Sequence, residues 1–345
     1  VRTAGLAAAG GVVAAGAAAW ELQRRRDLRD VEDDPLWHEL NRPLQGRSRQ
    51  VRSADGTRLH AEVFGAQDAA PLVLVHGWTE SIALWHHQIR DLSTEFRVIA
   101  YDQRGHGRSA VPDDADSYTA DSLAADLDAV LHECIGPSEP FVVGGHSMGG
   151  MTLVAWAGRH PGTARERLAG ALFVSTGMSE LVARALLFGP LAGARARQVL
   201  ARPLQARTRL PKNLTPLGYR ALRWAAFGRH VEPGSIAFLH RMVVECPAPV
   251  RAGFGRLFPT LDLTESVQHV SAPAVVIVGE RDRLLPPWHG QQLASHLPRL
   301  DEHVELRGIG HMAPLEAPEE VTSRLRRLGR GLQGARGREP ERALA

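Results

Sequence analysis

Residues 141–158, FVVGGHSMGGMTLVAWAG, decide the fold. The stretch opens as a short apolar strand, breaks at paired glycines, and resumes as an apolar helix. At its centre, 145-GHSMG-149 matches the pattern G-x-S-x-G. A strand that turns directly into a helix leaves Ser147 on a strained corner with its hydroxyl facing a cleft. Gly145 and Gly149 remove the side chains that would collide at that corner. Met148 then lies at the helix start, where its backbone N–H can point at a developing oxyanion. A five-residue match alone is a common accident. The strand before it and the helix after it are what give this one meaning.

The same alternation runs outward in both directions. The runs 72-LVLVHGW-78 and 97-RVIAYDQRGHGRS-109 each read as a buried strand ending in a polar, glycine-containing loop. Residues 119–134 place Leu123, Leu127, Val130 and Leu131 on one helical face, with Thr119 as the cap. Strands follow at 168-LAGALFVST, 274-AVVIVGERD and 303-HVELRG, with a helix over about 288–297 and a last one from near Pro318. Upstream, Asp55-Gly56 marks a hairpin turn. This is an α/β chain with a mostly parallel sheet covered on both faces. The pattern breaks near 177, and residues 178–247 read as a helical insertion.

A serine hydroxyl needs a histidine to take its proton, and the histidine needs a carboxylate to hold its tautomer. In the order Ser…Asp…His both follow Ser147. Strand 274–279 runs into Glu280 and Asp282, and the last strand leads to His311, each just past a carboxyl end. Asp282 is the expected acid, with Glu280 as the alternative, and His311 is the expected base. The N–H of Trp78 is the expected second oxyanion donor, with Gly77 permitting the turn. Its indole is a weaker candidate for lining an acyl pocket. His76 reads as structural, because it precedes the nucleophile. His240, His269, His289, His296 and His303 read as surface or packing residues. No H-E-x-x-H occurs, and the adjacent His86 and His87 point in different directions on a helix. No metal or other cofactor is expected.

With 345 residues, 44% hydrophobic and 23% charged, the chain has enough apolar material for a large core and is not a disordered protein. Cys134 and Cys246 are far apart and form neither a disulfide framework nor a cysteine zinc site. The net charge of +3 comes from dispersed arginines, with only Arg24–Arg26 as a tight run, so nucleic acid is not an expected partner. Residues 1–26 form an Ala/Gly-rich segment, of which 3–20 are uncharged. Three readings stay open for 3–20: a membrane anchor with the catalytic domain on the cytoplasmic side, a signal peptide, or an Ala-rich helix or loose tail. The corresponding locations are cytoplasmic or membrane-anchored. Residues 27–50 read as a linker, 51–328 as the domain, and 329–345 as a flexible tail.

Together, 75-VHGW, 101-YDQRGHGRS, 145-GHSMGG, 279-GERD and 308-GIGHM resemble the α/β-hydrolase superfamily over about 50–328. The chain looks most like the branch with a helical cap after the sixth strand, which includes esterases, epoxide hydrolases, haloalkane dehalogenases and haloperoxidase-like enzymes. The resemblance implies that Asp102, Arg104 and Gly105 stabilise a loop. The epoxide hydrolases and dehalogenases of that branch use an aspartate where this chain has Ser147, so an alkyl-enzyme ester is not expected. The expected activity is hydrolysis of a small or medium, hydrophobic carboxylic ester through an acyl-enzyme. A lactonase, thioesterase, C–C hydrolase or perhydrolase on the same three residues is the alternative. A ligand-binding protein without catalysis is a remoter one.

Overall fold

Apolar runs that are continuous rather than alternating become the interior strands of one eight-stranded sheet. A computed structural model of the chain describes residues 18–187 and 193–342. The strands are β1 (Arg47–Arg52), β2 (Arg58–Phe64), β3 (Pro71–Val75), β4 (Arg97–Tyr101), β5 (Phe141–His146), β6 (Leu168–Val174), β7 (Ala274–Gly279) and β8 (Leu300–Leu306). Their order across the sheet is β1-β2-β4-β3-β5-β6-β7-β8. Only β2 runs against its neighbours. Every residue of β3, β4, β5 and β7 is buried. Side chains alternate between faces, so Val73 and Val75 join one apolar layer with Leu127 and Trp156. Leu72 and Leu74 join the opposite layer with Trp85 and Leu325.

The insertion between β6 and β7 carries the helices Leu181–Arg184, Ala194–Leu200, Pro216–Ala226, Pro233–Glu245 and Ala248–Leu257. It therefore extends past the residue 247 boundary read from the sequence.

Two boundary readings need correction. Residues 27–50 are not an open linker: the chain is helical over 18–32, helical again at Pro35–Leu40, and enters β1 at Arg47. Asp34 caps the second helix by accepting the Leu36 N–H at 2.9 Å, and its other oxygen accepts the Gly234 N–H at 2.6 Å. Pro35 stands at the first helical position, where proline starts a helix rather than breaking one. Residues 329–342 are not a loose tail either. They continue the helix Pro318–Arg342, in which Leu325, Leu328 and Leu332 are buried at helical spacing. Arg326 and Arg330 both pair with Glu95. The expectation for 3–20 lies mostly outside the described residues. Among those described, no helix is long and apolar enough to cross a membrane.

The loop after β4 is held as the resemblance implied. Arg104, fully buried, makes a bidentate pair with Asp126, both bonds at 2.7 Å, and reaches Asp55 at 2.9 Å. Asp102 accepts the Ile82 and Arg108 N–H groups at 2.9 Å each. Gly105 adopts φ +77° against Val250 of the insertion. Burial raises the Asp126 carboxyl, and Arg104 opposes that shift. Replacing Arg104 by alanine leaves Asp126 buried without its counter-charge. A loss of about 3–5 kcal/mol is expected in urea unfolding, and a loss below about 1 kcal/mol would show the pair to be dispensable.

Candidate active site

The chain leaves β3 toward β4 on one side and then crosses to β5 on the other. The loops after β3 and β5 therefore part at a topological switch point, where open α/β sheets form their clefts. Ser147 sits there at φ 50°, ψ −117°, and the helix Met148–Arg159 begins at the next residue. Such a conformation costs about 1–3 kcal/mol for a non-glycine residue. It is held from both sides. The Ser147 N–H donates to Val174 O at 2.9 Å, and its carbonyl accepts from Thr176 Oγ1 at 2.6 Å.

The glycines explain how tightly the parts meet. A Cβ on Gly149 would lie 2.0 Å from the Val75 carbonyl oxygen, and one on Gly145 would lie 2.6 Å from the Gly149 backbone. A Cβ on Gly77 would stand 3.0 Å from the Ser147 Cβ, so the loop after β3 runs directly over the serine. Met148, as the first helical residue, has an N–H without an intrahelical acceptor. On either side of Trp78 the N–H groups are committed: Gly77 donates to Glu80 Oε2 at 2.5 Å and Thr79 to His106 Nε2 at 3.1 Å. The Trp78 indole stands edge-on to Phe258 at 5.3 Å.

His76 is buried and structural, as read. Its Nδ1 donates to Gly77 O at 2.7 Å and its Nε2 accepts the Gln103 N–H at 2.9 Å. Burial drives it well below the ordinary histidine range.

The structure brings Asp282 and His311 together. His311 Nδ1 lies 2.7 Å from Asp282 Oδ2, both side chains buried. Asp282 Oδ1 accepts the N–H groups of Leu284 at 2.9 Å and Leu285 at 2.8 Å, which fixes the carboxylate plane. Glu280, the alternative acid, is exposed and accepts the Gly308 N–H at 2.7 Å instead.

Three further groups around these residues add to the sequence reading. The first is the pair Glu80–His146, with His146 Nδ1 at 3.0 Å from Glu80 Oε2 and its Nε2 donating to the His311 carbonyl at 2.9 Å. His146 thus joins the loop after β3, the serine corner and the His311 loop. Burial alone would lower this histidine, but the Glu80 charge and hydrogen bond raise it. The second is His289, read as surface or packing. It is buried, neither ring nitrogen has a partner among the described residues, and burial lowers it to about 4.

Glu316 is the third. Its carboxylate accepts the N–H groups of Gly228 at 2.7 Å, Gly310 at 3.0 Å and Met312 at 3.2 Å, clamping the His311 loop to the insertion. Burial raises it to about 7 despite those donors. Its pKa is higher folded than unfolded, so the native state holds the proton more tightly. Its contribution to stability is full below its usual 4.5 and is lost as pH rises through about 7. Urea midpoints of Glu316→Gln should lack this part of the decline. A parent–variant difference that stays constant from about pH 4.5 to 7 would contradict the assignment. Acidic residues at helix starts are common, so nothing in the sequence marked Glu316 or Glu80.

The comparisons agree with the fold. A family model described as alpha/beta hydrolase fold matches residues 70–318. The chain is 29% identical over 324 residues to "Probable oxidoreductase EphD" of Mycobacterium tuberculosis, covering 87% of this chain and 52% of that protein. The chain thus spans about half the length of that relative. It is 26% identical over 269 residues to "3-oxoadipate enol-lactonase 2" of Acinetobacter baylyi, covering 77% of this chain and 91% of the lactonase. Among solved structures, the esterase RhEst1 from Rhodococcus sp. ECU1013 superposes with a TM-score of 0.68 at 24% identity, over 83% of this chain and 99% of that one.

Proposed function

The chain belongs to the α/β-hydrolase family, and from that premise we propose that it is a serine hydrolase of small or medium carboxylic esters. The observation that carries this reading is the buried 2.7 Å contact between His311 and Asp282, joined to the strained Ser147 corner through its neighbour His146, which hydrogen-bonds the His311 carbonyl. His311 takes the Ser147 proton, and Oγ attacks the ester carbonyl. The oxyanion is held by the N–H groups of Trp78 and Met148. His311 then gives the proton to the leaving alcohol. Water, deprotonated by His311 in turn, releases the acid and restores Ser147. Asp282 keeps the imidazole in the tautomer whose Nε2 is free to accept. The helical insertion acts as a cap over the cleft.

The apolar side chains of Leu123, Met151, Leu257, Phe258 and Leu261 cluster beside Met148 with almost no free space between them. An acyl group that enters there must be apolar and short. The test is a series of p-nitrophenyl esters. Butyrate and hexanoate should be turned over fastest and palmitate poorly, with no turnover of epoxides. Equal rates along the series would refute the acyl-pocket assignment, and no turnover of any ester would refute the esterase reading. Lactone hydrolysis on the same residues is the second reading, favoured by the likeness to the Acinetobacter enol-lactonase over most of its length. Faster hydrolysis of lactones than of all open esters would select it.

A further inference from the structure

We propose that Glu39, His86 and His87 form a binding site for a divalent transition metal of the zinc class, apart from the serine site. One ligand atom from each of the three side chains lies within 4.8 Å of the others, and both histidines are only 5% exposed. Read as a pair, adjacent histidines on a helix make no chelate. His86, however, is the first residue of the helix His86–Leu92, directly after a 3₁₀ turn, and the third ligand comes from the helix Pro35–Leu40. The two rings stand nearly perpendicular with centroids 5.8 Å apart.

The polar atoms that need a partner are the ones a metal would use. Nδ1 of His86 and Nδ1 of His87 are buried without a hydrogen-bond partner among the described residues. His87 Nδ1 lies 3.5 Å from Glu39 Oε1. Buried polar groups left unpaired are costly, and two on neighbouring rings ask for a common explanation. His86 Nε2 faces the Arg42 carbonyl at 3.3 Å, so it carries the proton and leaves the Nδ1 lone pair free. An outer hydrogen bond of this kind commonly orients a metal-ligating histidine. Burial lowers both histidines, which keeps them neutral and available as ligands.

Two imidazoles and a carboxylate suit zinc, cobalt or nickel better than calcium or magnesium. Arg90, half exposed, now pairs with Glu39 and would have to swing away. His86 also lines a cleft of about 430 Å³, which gives the ion a route in. The metal would fasten the helix Pro35–Leu40 to the body. That helix region already holds the insertion through Asp34 to the Gly234 N–H and through Asn41 to Arg241.

The experiment is titration of the chelator-stripped full chain with Co²⁺, read by its visible absorption, with Zn²⁺ as competitor. One equivalent should bind, displaced by Zn²⁺, and Zn²⁺ should raise the melting temperature. His86→Gln, His87→Gln and Glu39→Gln should each weaken binding by at least about tenfold. Should any of them fail to fold, Arg90→Gln on the exposed rim frees Glu39 and should tighten binding severalfold. A parent chain that binds no Co²⁺, ligand variants that bind as tightly as the parent, or an Arg90→Gln chain that binds no more tightly would each overturn the proposal.

Discussion

Replacing Ser147 by alanine is expected to abolish ester turnover, with a fall in kcat on the order of a millionfold, as for serine triads generally. The remaining parts of the site cannot substitute for it. Its hydroxyl is the nucleophile that forms the acyl-enzyme, and the oxyanion donors alone leave a far smaller acceleration. The backbone adds a second, opposite signature. Ser147 is held at φ 50°, where a Cβ is unfavourable and glycine is not. Ser147→Gly should therefore lose turnover equally while gaining about 1 kcal/mol of stability. A variant that loses both activity and stability would mean that the corner is relaxed rather than strained. An alanine variant that retains more than about a thousandth of the parent kcat would remove Ser147 from the mechanism.

Asp282→Asn is expected to lower kcat by about ten-thousandfold with little change in KM. The reason lies in how the carboxylate is held. Oδ1 is already committed to the N–H groups of Leu284 and Leu285. An asparagine must keep its carbonyl oxygen there, so its NH₂ faces His311 Nδ1. The imidazole then accepts at Nδ1 and carries its proton on Nε2, the nitrogen that should receive the Ser147 proton. The fold should be kept, because the side chain is isosteric. Glu280→Gln is the matched control. Among the described residues its carboxylate serves only the Gly308 N–H, at an exposed position, and its kcat should stay within about threefold of the parent. Comparable losses in the two variants would mean that the acid had been assigned to the wrong residue.

Much of this was legible in the sequence, for physical reasons. Interior parallel strands must be apolar on both faces, so β3, β5 and β7 appear as unbroken runs. The elbow needs glycine on both sides of its serine, so Gly145 and Gly149 bracket it. Asp282 and His311 follow strand ends, and the structure pairs His311 with Asp282 rather than with Glu280. The supporting carboxylates were not legible. Glu80 accepts from the nearby Gly77 N–H and pairs with the distant His146 side chain, while Glu316 accepts from the N–H groups of Gly310, Met312 and the distant Gly228, and such contacts leave no sequence pattern. The helices before β1 were hidden for a related reason. The first is charged along most of its length, with pairs such as Arg24–Glu21, and the second is only six residues long, so each buries few residues. The last helix was underestimated because, among the residues of described burial past 328, its buried stripe is reduced to Gly329 and Leu332.

The central claim is a covalent acyl-enzyme on Ser147, and peptide mapping of the rapidly quenched protein during p-nitrophenyl butyrate turnover tests it most directly. A butyryl group on the peptide containing Ser147, absent from the alanine variant, is the expected result. Sustained turnover with no adduct at Ser147, or with the adduct on another residue, would contradict it.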